Sequence, residues 1–346
     1  MLKSIAKILV LIVFLSSCSK QEPQVYNDRF FTFGTDVTIS IYSADKDLVA
    51  SGFKAIREKF KSLNQKLHPW NPGELQALNL AISKSEPHAV SPLLQTLILA
   101  GQEFNKSSAG LFDPAIGSLV KLWKFDNAAN IHTEIPQEAS LNIVLDQRPS
   151  ISEISINERG EAICSNNLVR LDFGGFAKGF ATEEAVKILS DLGINNAIVN
   201  AGGDLTTIGS KGGDPWSIGI RSPFADHAAA FVKTSSGTNV FTSGNYERFF
   251  EIDGKVYHHI IDPKTGFPSV EIASVTVIHE SGMLADAAAT ALMVAGPKRW
   301  KDVARGMGVE KVMLITSDKK IIITPIMNSL VNILDSNLTQ IIEEIN

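Results

Sequence analysis

The 346-residue chain is 44% hydrophobic and 20% charged, with 25 Gly, 14 Pro and 2 Cys. That composition excludes intrinsic disorder, a collagen-like repeat and a disulfide-stapled miniprotein, and leaves one or two ordinary globular domains. The formal net charge is −5, and removal of a leader carrying Lys3 and Lys7 would take it to −7 (−5 minus 2). This is the wrong sign for a protein that binds nucleic acid by neutralising phosphates, so no nucleic-acid partner is expected.

The first residues, two lysines and then an apolar run from Ile8 to Leu15, read as a secretion signal, too short for a bilayer core that needs roughly 20 apolar residues. Leu15-Ser16-Ser17-Cys18 resembles a bacterial lipobox. It gives residues 1–17 as a lipoprotein signal peptide, Cys18 as the lipidation site, 18–27 as a polar tether and 28–346 as the catalytic domain. The expected location is the cell envelope, with the body in the periplasm and the lipid chain as its only membrane contact. Cys164 then has no partner and reads as a small buried hydrophobe. Neither C-x-x-C nor H-E-x-x-H occurs, which speaks against a thiolate or zincin-type zinc site.

In chain order, Thr35 to Tyr42 alternates as a strand. Val49, Phe53, Ile56, Phe60, Leu63 and Leu67 follow at the spacing of a long amphipathic helix that ends at His68-Pro69. Ser91 before Pro92 starts a second helix that runs to about Lys106. Strands are expected at Ile163 to Asp172, Ala197 to Val199 and Trp216 to Arg221, with a hairpin turning at Asp253-Gly254. Helices and strands interleave without βαβ alternation, so the fold class is α+β, with mixed or antiparallel sheets and packed helices in one catalytic unit.

Several segments carry more polar chemistry than packing requires. In LDFGGFAKGFATEEAVKILSDLG an expected strand meets Gly174-Gly175 and then a helix with Lys178 in its first turn. Ala181, Ala185, Ile188, Leu189 and Leu192 share one face of that helix, and Gly193 ends it. A cation there is unfavourable unless an anion is bound, so the turn reads as a phosphate cradle, or more plainly as a tight turn with a solvated lysine. In SGMLADAAATALMVAGP Asp286 and Thr290 stand four residues apart on one helical face among alanines. That hard-oxygen pair suits Mg²⁺, although such pairs also occur on solvated faces. His258 and His259 are adjacent on a strand, point to opposite faces and cannot both serve one site. The Asp262-Pro263-Lys264-Thr265-Gly266 stretch is a turn, while SAGLFDPAIGSLVKLWKF and AIVNAGGDLTTIG read as Gly- and Asp-bearing loops.

The order of these segments, from TFGTDVTISIY through HPWNPGELQALN, GLFDPAIGSLVKLWKF, LDFGGFAKGF, IVNAGGD and TSGNYERFFEIDGKVYHHIIDPKTGFP to MLADAAATAL, resembles the ApbE-like FAD:protein FMN transferases. The resemblance implies a T-fold-like unit that transfers FMN from FAD to a Ser or Thr hydroxyl of an acceptor protein. AMP leaves, and a membrane electron-transport subunit is the implied acceptor. It also implies Mg²⁺ on Asp286, Thr290 and the Ala177 carbonyl, and His259 as the catalytic histidine, with His258 open by one residue. Lys178 and the Gly174-Gly175 amides would hold phosphates. FAD contacts would come from Phe33, Gly34, Thr35, Trp70, Lys178, Gly202, Gly203, Asp204, Thr242 and Ser243. The same residues would serve a metal-dependent FAD pyrophosphatase, and a non-catalytic flavin-binding lipoprotein is a third reading.

Overall fold

A computed structural model describes residues 22–126, 134–234 and 236–345; the expected signal peptide and Cys18 lie outside the described residues. Strands β1 (Gln24–Thr32) and β2 (Thr35–Ser43) form a hairpin closed by Phe33 and Gly34, at φ 52° and 71°. Turns of that hand match strand twist. A phenylalanine there is strained by about 1–3 kcal/mol. It is held by its N–H donating to Asn64 Oδ1 (3.2 Å) and by edge-on packing on Phe60 at 5.9 Å. Gln24 to Asn27, expected as the end of the tether, belong instead to β1, paired with Ser43 to Ser40. An edge strand needs only backbone partners, so its polar side chains are no obstacle.

Helix α1 (Lys46–Leu67) is capped by Asp45, which accepts from the Asp47 and Leu48 amides, and buries Val49, Ile56, Phe60, Leu63 and Leu67. Next come α2 (Glu74–Ser83), β3 (His88–Ala89) and α3 (Pro92–Ser107), the last capped by Ser91 as its sequence requires. They are followed by α4 (Gly117–Leu122), α5 (Glu138–Gln147), β4 (Ser155–Ile156) and β5 (Glu161–Ile163). The expected strand from Ile163 to Asp172 is strand only at Ile163. Val169, Leu171 and Phe173 are buried, as the run suggests, but their backbone finds other partners. Arg170 and Asp172 donate N–H to the Ala115 and Pro114 carbonyls, and the Asn79 side chain grips Leu171 at both ends, donating to its carbonyl (2.8 Å) and accepting from its N–H (2.7 Å).

Helix α6 (Ala177–Asp191) leads into a hairpin of β6 (Ala197–Ala201) and β7 (Asp204–Ile208). Leu192, expected on the buried face of α6, is exposed, and Gly179 and Thr182 are buried instead. Then come β8 (Trp216–Arg221), β9 (Ala228–Thr234), β10 (Asn239–Gly244), and the ribbon of β11 (Phe249–Ile252) and β12 (Lys255–His258), turning at Asp253-Gly254. The chain continues through β13 (Ile272–His279), α7 (Gly282–Met307), β14 (Lys311–Thr316), β15 (Lys320–Ile323), α8 (Pro325–Leu330), β16 (Val331–Ile333) and β17 (Thr339–Ile342). The backbone of α7 breaks at Gly296 (φ 67°, ψ 178°) before Pro297.

Nine strands form the central sheet in the order β1-β2-β6-β7-β10-β13-β14-β15-β17, antiparallel except for β15 with β17. Helices α1, α6 and α7 cover one face, and the three-stranded sheet β16-β9-β8 covers part of the other. An aromatic cluster of Trp123, Phe125, Phe250 and Tyr257 joins α4 and α5 to the β11–β12 ribbon. The fold is the expected α+β arrangement with mixed sheets. Among the described residues no helix is long and apolar enough to cross a membrane.

Candidate active site

The site is built where α6 and α7 touch backbone to backbone. A Cβ on Gly179 would lie 2.3 Å from the Gly282 carbonyl oxygen, so the crossing tolerates only glycine. Phe176, at the N-cap of α6, offers no capping side chain. A carboxylate from the other helix does that work: Asp286 Oδ2 accepts the Gly179 N–H at 3.1 Å. Helix N-termini favour negative charge, and the contact buries Asp286 to 2% exposure.

Lys178 extends from the same turn. Its ammonium donates to the Gly174 carbonyl (3.2 Å), Asp204 Oδ2 (3.1 Å) and Asp286 Oδ1 (3.5 Å). Three acceptors use its three donors. The anion that the sequence demanded is therefore present in the protein, as two carboxylates. Burial alone would lower the Lys178 pKa, but Asp286, Asp204 and Glu247 outweigh it and raise it, keeping the ammonium charged. Burial pushes both Asp286 and Asp204 up, against the pull of Lys178. Asp204 is also held by Thr242, whose N–H donates to Oδ1 at 2.9 Å.

One turn along α7 from Asp286, Thr290 Oγ1 lies 3.2 Å from Ser243 Oγ and faces Gly175, where a Cβ would be 3.7 Å from that hydroxyl. Ala177 opens α6 beside them. Ser243 and Thr242 point to opposite faces of the sheet. The Thr242 hydroxyl pairs with Thr276 at 2.9 Å, away from the helices, and only its backbone serves this side. Nor is the Gly174 amide free for a phosphate, since it donates to Asp172 Oδ1 at 2.9 Å. Among the described residues no three His, Cys, Asp or Glu are grouped to hold a metal. A divalent ion would draw on one carboxylate with hydroxyl and carbonyl oxygens, the hard donors that suit Mg²⁺. Asp286, Asp204 and Glu247 surround the Lys178 ammonium, with Arg248 and Arg221 also close to Glu247.

The remaining expected contacts sit on separate turns. Phe33-Gly34-Thr35 and Gly202-Gly203 are neighbouring hairpin turns. Gly202 donates N–H to the Asp36 carbonyl, and a Cβ on Gly202 would collide with the Thr35 hydroxyl at 2.2 Å. Trp70 is covered on one ring face by the Arg170 guanidinium at 4.3 Å.

The two histidines are distinct. His258 is sealed in: its Nδ1 accepts the Ile260 N–H and its Nε2 donates to the Ser269 carbonyl at 2.6 Å. Burial pushes it down to about 4, the Ser269 bond opposing. His259 lies just beyond β12, and its Nδ1 is buried without a hydrogen-bond partner. Burial, then the positive Arg248 and Lys178, hold its pKa well below the usual range, so the imidazole is neutral at pH 7. Glu247 was missed in the sequence. Surrounding protein and then Asp204 push its carboxyl up to about 7, although the residue is exposed to solvent. Gly179 was missed too; its signal is a glycine inside a helix, where propensity disfavours it.

The ApbE family model matches residues 33–313. An FAD:protein FMN transferase of Rhodobacter capsulatus is 36% identical over 304 residues, 88% of this chain and 58% of that protein's length. One from Treponema pallidum is 31% identical over 335 residues, 92% of each chain. The crystal structure of an ApbE protein from Thermotoga maritima superposes with a TM-score of 0.81 at 32% identity, covering 89% of this chain and 99% of its own. The apo Pseudomonas stutzeri flavinyl transferase ApbE gives 0.78 at 26%, covering 89% and 97%. With its helix-crossing site in place and most of its length matched, the chain belongs to the ApbE family.

Proposed function

We propose that this protein is an FAD:protein FMN transferase that uses Mg²⁺ to move FMN from FAD onto a Ser or Thr hydroxyl of an acceptor protein, releasing AMP. The observation that carries the reading is the oxygen set of Asp286, Thr290 and Ser243 gathered at the N-terminus of α6, beside a charged lysine. Relatives named as FAD:protein FMN transferases support it.

Asp286, Thr290 and the Ala177 carbonyl would hold the metal, which when bound supplies Lewis-acid charge at the diphosphate. The acceptor oxygen forms a bond to the FMN-side phosphorus as the bridging P–O bond breaks, and the bridging oxygen leaves on AMP. The hydroxyl proton passes to His259 Nε2, because Nδ1 is sealed off and His258 has both nitrogens engaged. Such proton transfer is worth about 10² to 10⁴ in rate.

The test is incubation with FAD and Mg²⁺, with and without an acceptor protein. A flavin-fluorescent acceptor band is expected. FMN released equally without acceptor would make the protein a pyrophosphatase, and unaltered FAD would leave it a flavin binder. We infer further that a lipid on Cys18 tethers the body in the periplasm, where electron-transport subunits at the membrane are the acceptors. Mass spectrometry of the N-terminal peptide checks the acyl chains.

A further inference from the structure

The contacts around Lys178 are unequal, and the inequality has a direction. Asp204 is fully committed: its Oδ1 takes the Thr242 amide at 2.9 Å and its Oδ2 takes Lys178 at 3.1 Å. Asp286 is committed on one side, where Oδ2 takes the Gly179 amide at 3.1 Å, while Oδ1 has the Lys178 ammonium at 3.5 Å. The lysine is thus anchored on Asp204 and leans on Asp286, and the Asp286 oxygen it touches is the less firmly held. A hard divalent cation seeking a carboxylate oxygen on α7 meets the ammonium there.

We propose that Lys178 is a resident counter-ion that competes with the divalent cation for Asp286, and that Asp204, by holding Lys178 back, sets the affinity of the metal site. The inference rests on Asp286 being a metal ligand, as in the function proposed above. Asp204 is on this account a positioning residue that acts through Lys178. Without metal, the ammonium neutralises a carboxylate that would otherwise be buried and unpaired, a costly state. With metal, Lys178 stays on Asp204, and the donor released from Asp286 is free to turn toward a substrate phosphate. This reconciles a lysine whose donors are all in use with a site that must also handle a diphosphate.

The experiment measures Mn²⁺ binding to the FAD-free full chain from the spectrum of the free ion, so it does not depend on turnover. Lys178→Met should tighten Mn²⁺ by about tenfold or more, the scale of removing one like charge at close range. Asp204→Asn should weaken it by about tenfold while Lys178 is present, since the ammonium then settles on Asp286. In the Lys178→Met background the same change should weaken binding clearly less, by about threefold from the lost Asp204 charge alone, and the non-additivity marks the part relayed through the lysine. Equal weakening in both backgrounds would mean that Asp204 acts directly on the ion, and unchanged binding in Lys178→Met would mean that Lys178 does not compete; either overturns the proposal. Should Lys178→Met alone fail to fold, the charge-balanced Lys178→Met/Asp204→Asn chain must bind Mn²⁺ about tenfold tighter than Asp204→Asn, and equal affinity overturns the proposal. Asp286→Asn separates the two readings. If it leaves Mn²⁺ binding intact, the metal site itself is misassigned and both fall. If it abolishes binding while the lysine and Asp204 variants have no effect, the inference about Lys178 falls and the function stands.

Discussion

The two faces of the central sheet are covered differently. Between the central sheet and strands β8, β9 and β16, Val240, Ile315 and Ile323 of the one meet Ile218, Ile220 and Val232 of the other in a core of branched side chains. On the helix face, α7 presents Ala285, Ala287, Ala288, Ala289 and Ala291, all buried. Small residues let backbones approach, and here the approach brings a carboxylate, an ammonium and two hydroxyls together. Bulky side chains fill the cores on both faces, and the difference is local: where α7 meets α6, small residues bring backbones close enough to create the chemistry.

Four changes would break or sharpen that contrast, taken in order of their expected effect on turnover. Asp286→Ala removes the proposed metal ligand and the cap of α6 together, and transfer at limiting Mg²⁺ should fall by about 10³-fold or more; near-normal rates would refute the assignment. Gly179→Ala forces a methyl against the Gly282 carbonyl. The helices must part, with a loss of about 10²-fold in transfer, of the size that a displacement of about 1 Å causes; a thermal melt reports the accompanying overpacking cost of about 1–3 kcal/mol.

His258 gives a pH test. Held at about 4 in the fold against an ordinary 6.5, it stays neutral while the unfolded chain takes up a proton. Its contribution is fully present above about 6.5 and is lost as pH falls toward about 4, on the order of 3 kcal/mol in all. His258→Gln should flatten the stability profile in that window, measured by denaturant unfolding at several pH values, with a modest effect on transfer at pH 8. Last, Ile315→Ala on the strand-covered face should cost about 2–5 kcal/mol of stability. Assayed well below its melting temperature, it should leave turnover unchanged.

What was legible in the sequence was local. Ser91-Pro92 caps a helix and Asp253-Gly254 turns a hairpin, because the groups that decide those outcomes lie within a few residues. The Asp286 and Thr290 spacing was legible for the same reason. The run from Ile163 to Asp172 was not, because its hydrophobicity reports burial but not that Asn79 and the 114–117 loop would replace a neighbouring strand. Lys178 shows the same limit at the site. Its position called for an anion, but that two aspartates from β7 and α7 would supply it depends on contacts between segments far apart in the chain. That His258 is locked while His259 Nδ1 has no partner likewise depends on the Ser269 carbonyl, which no spacing rule reveals.

The break at Gly296 gives α7 a joint. The segment before it carries Asp286 and Thr290, and the segment after it buries Trp300, Val303 and Met307 in the same hydrophobic core. A straight rod keeps one heading over its whole length; the bend lets a single element change direction partway and stay packed along a curved interior.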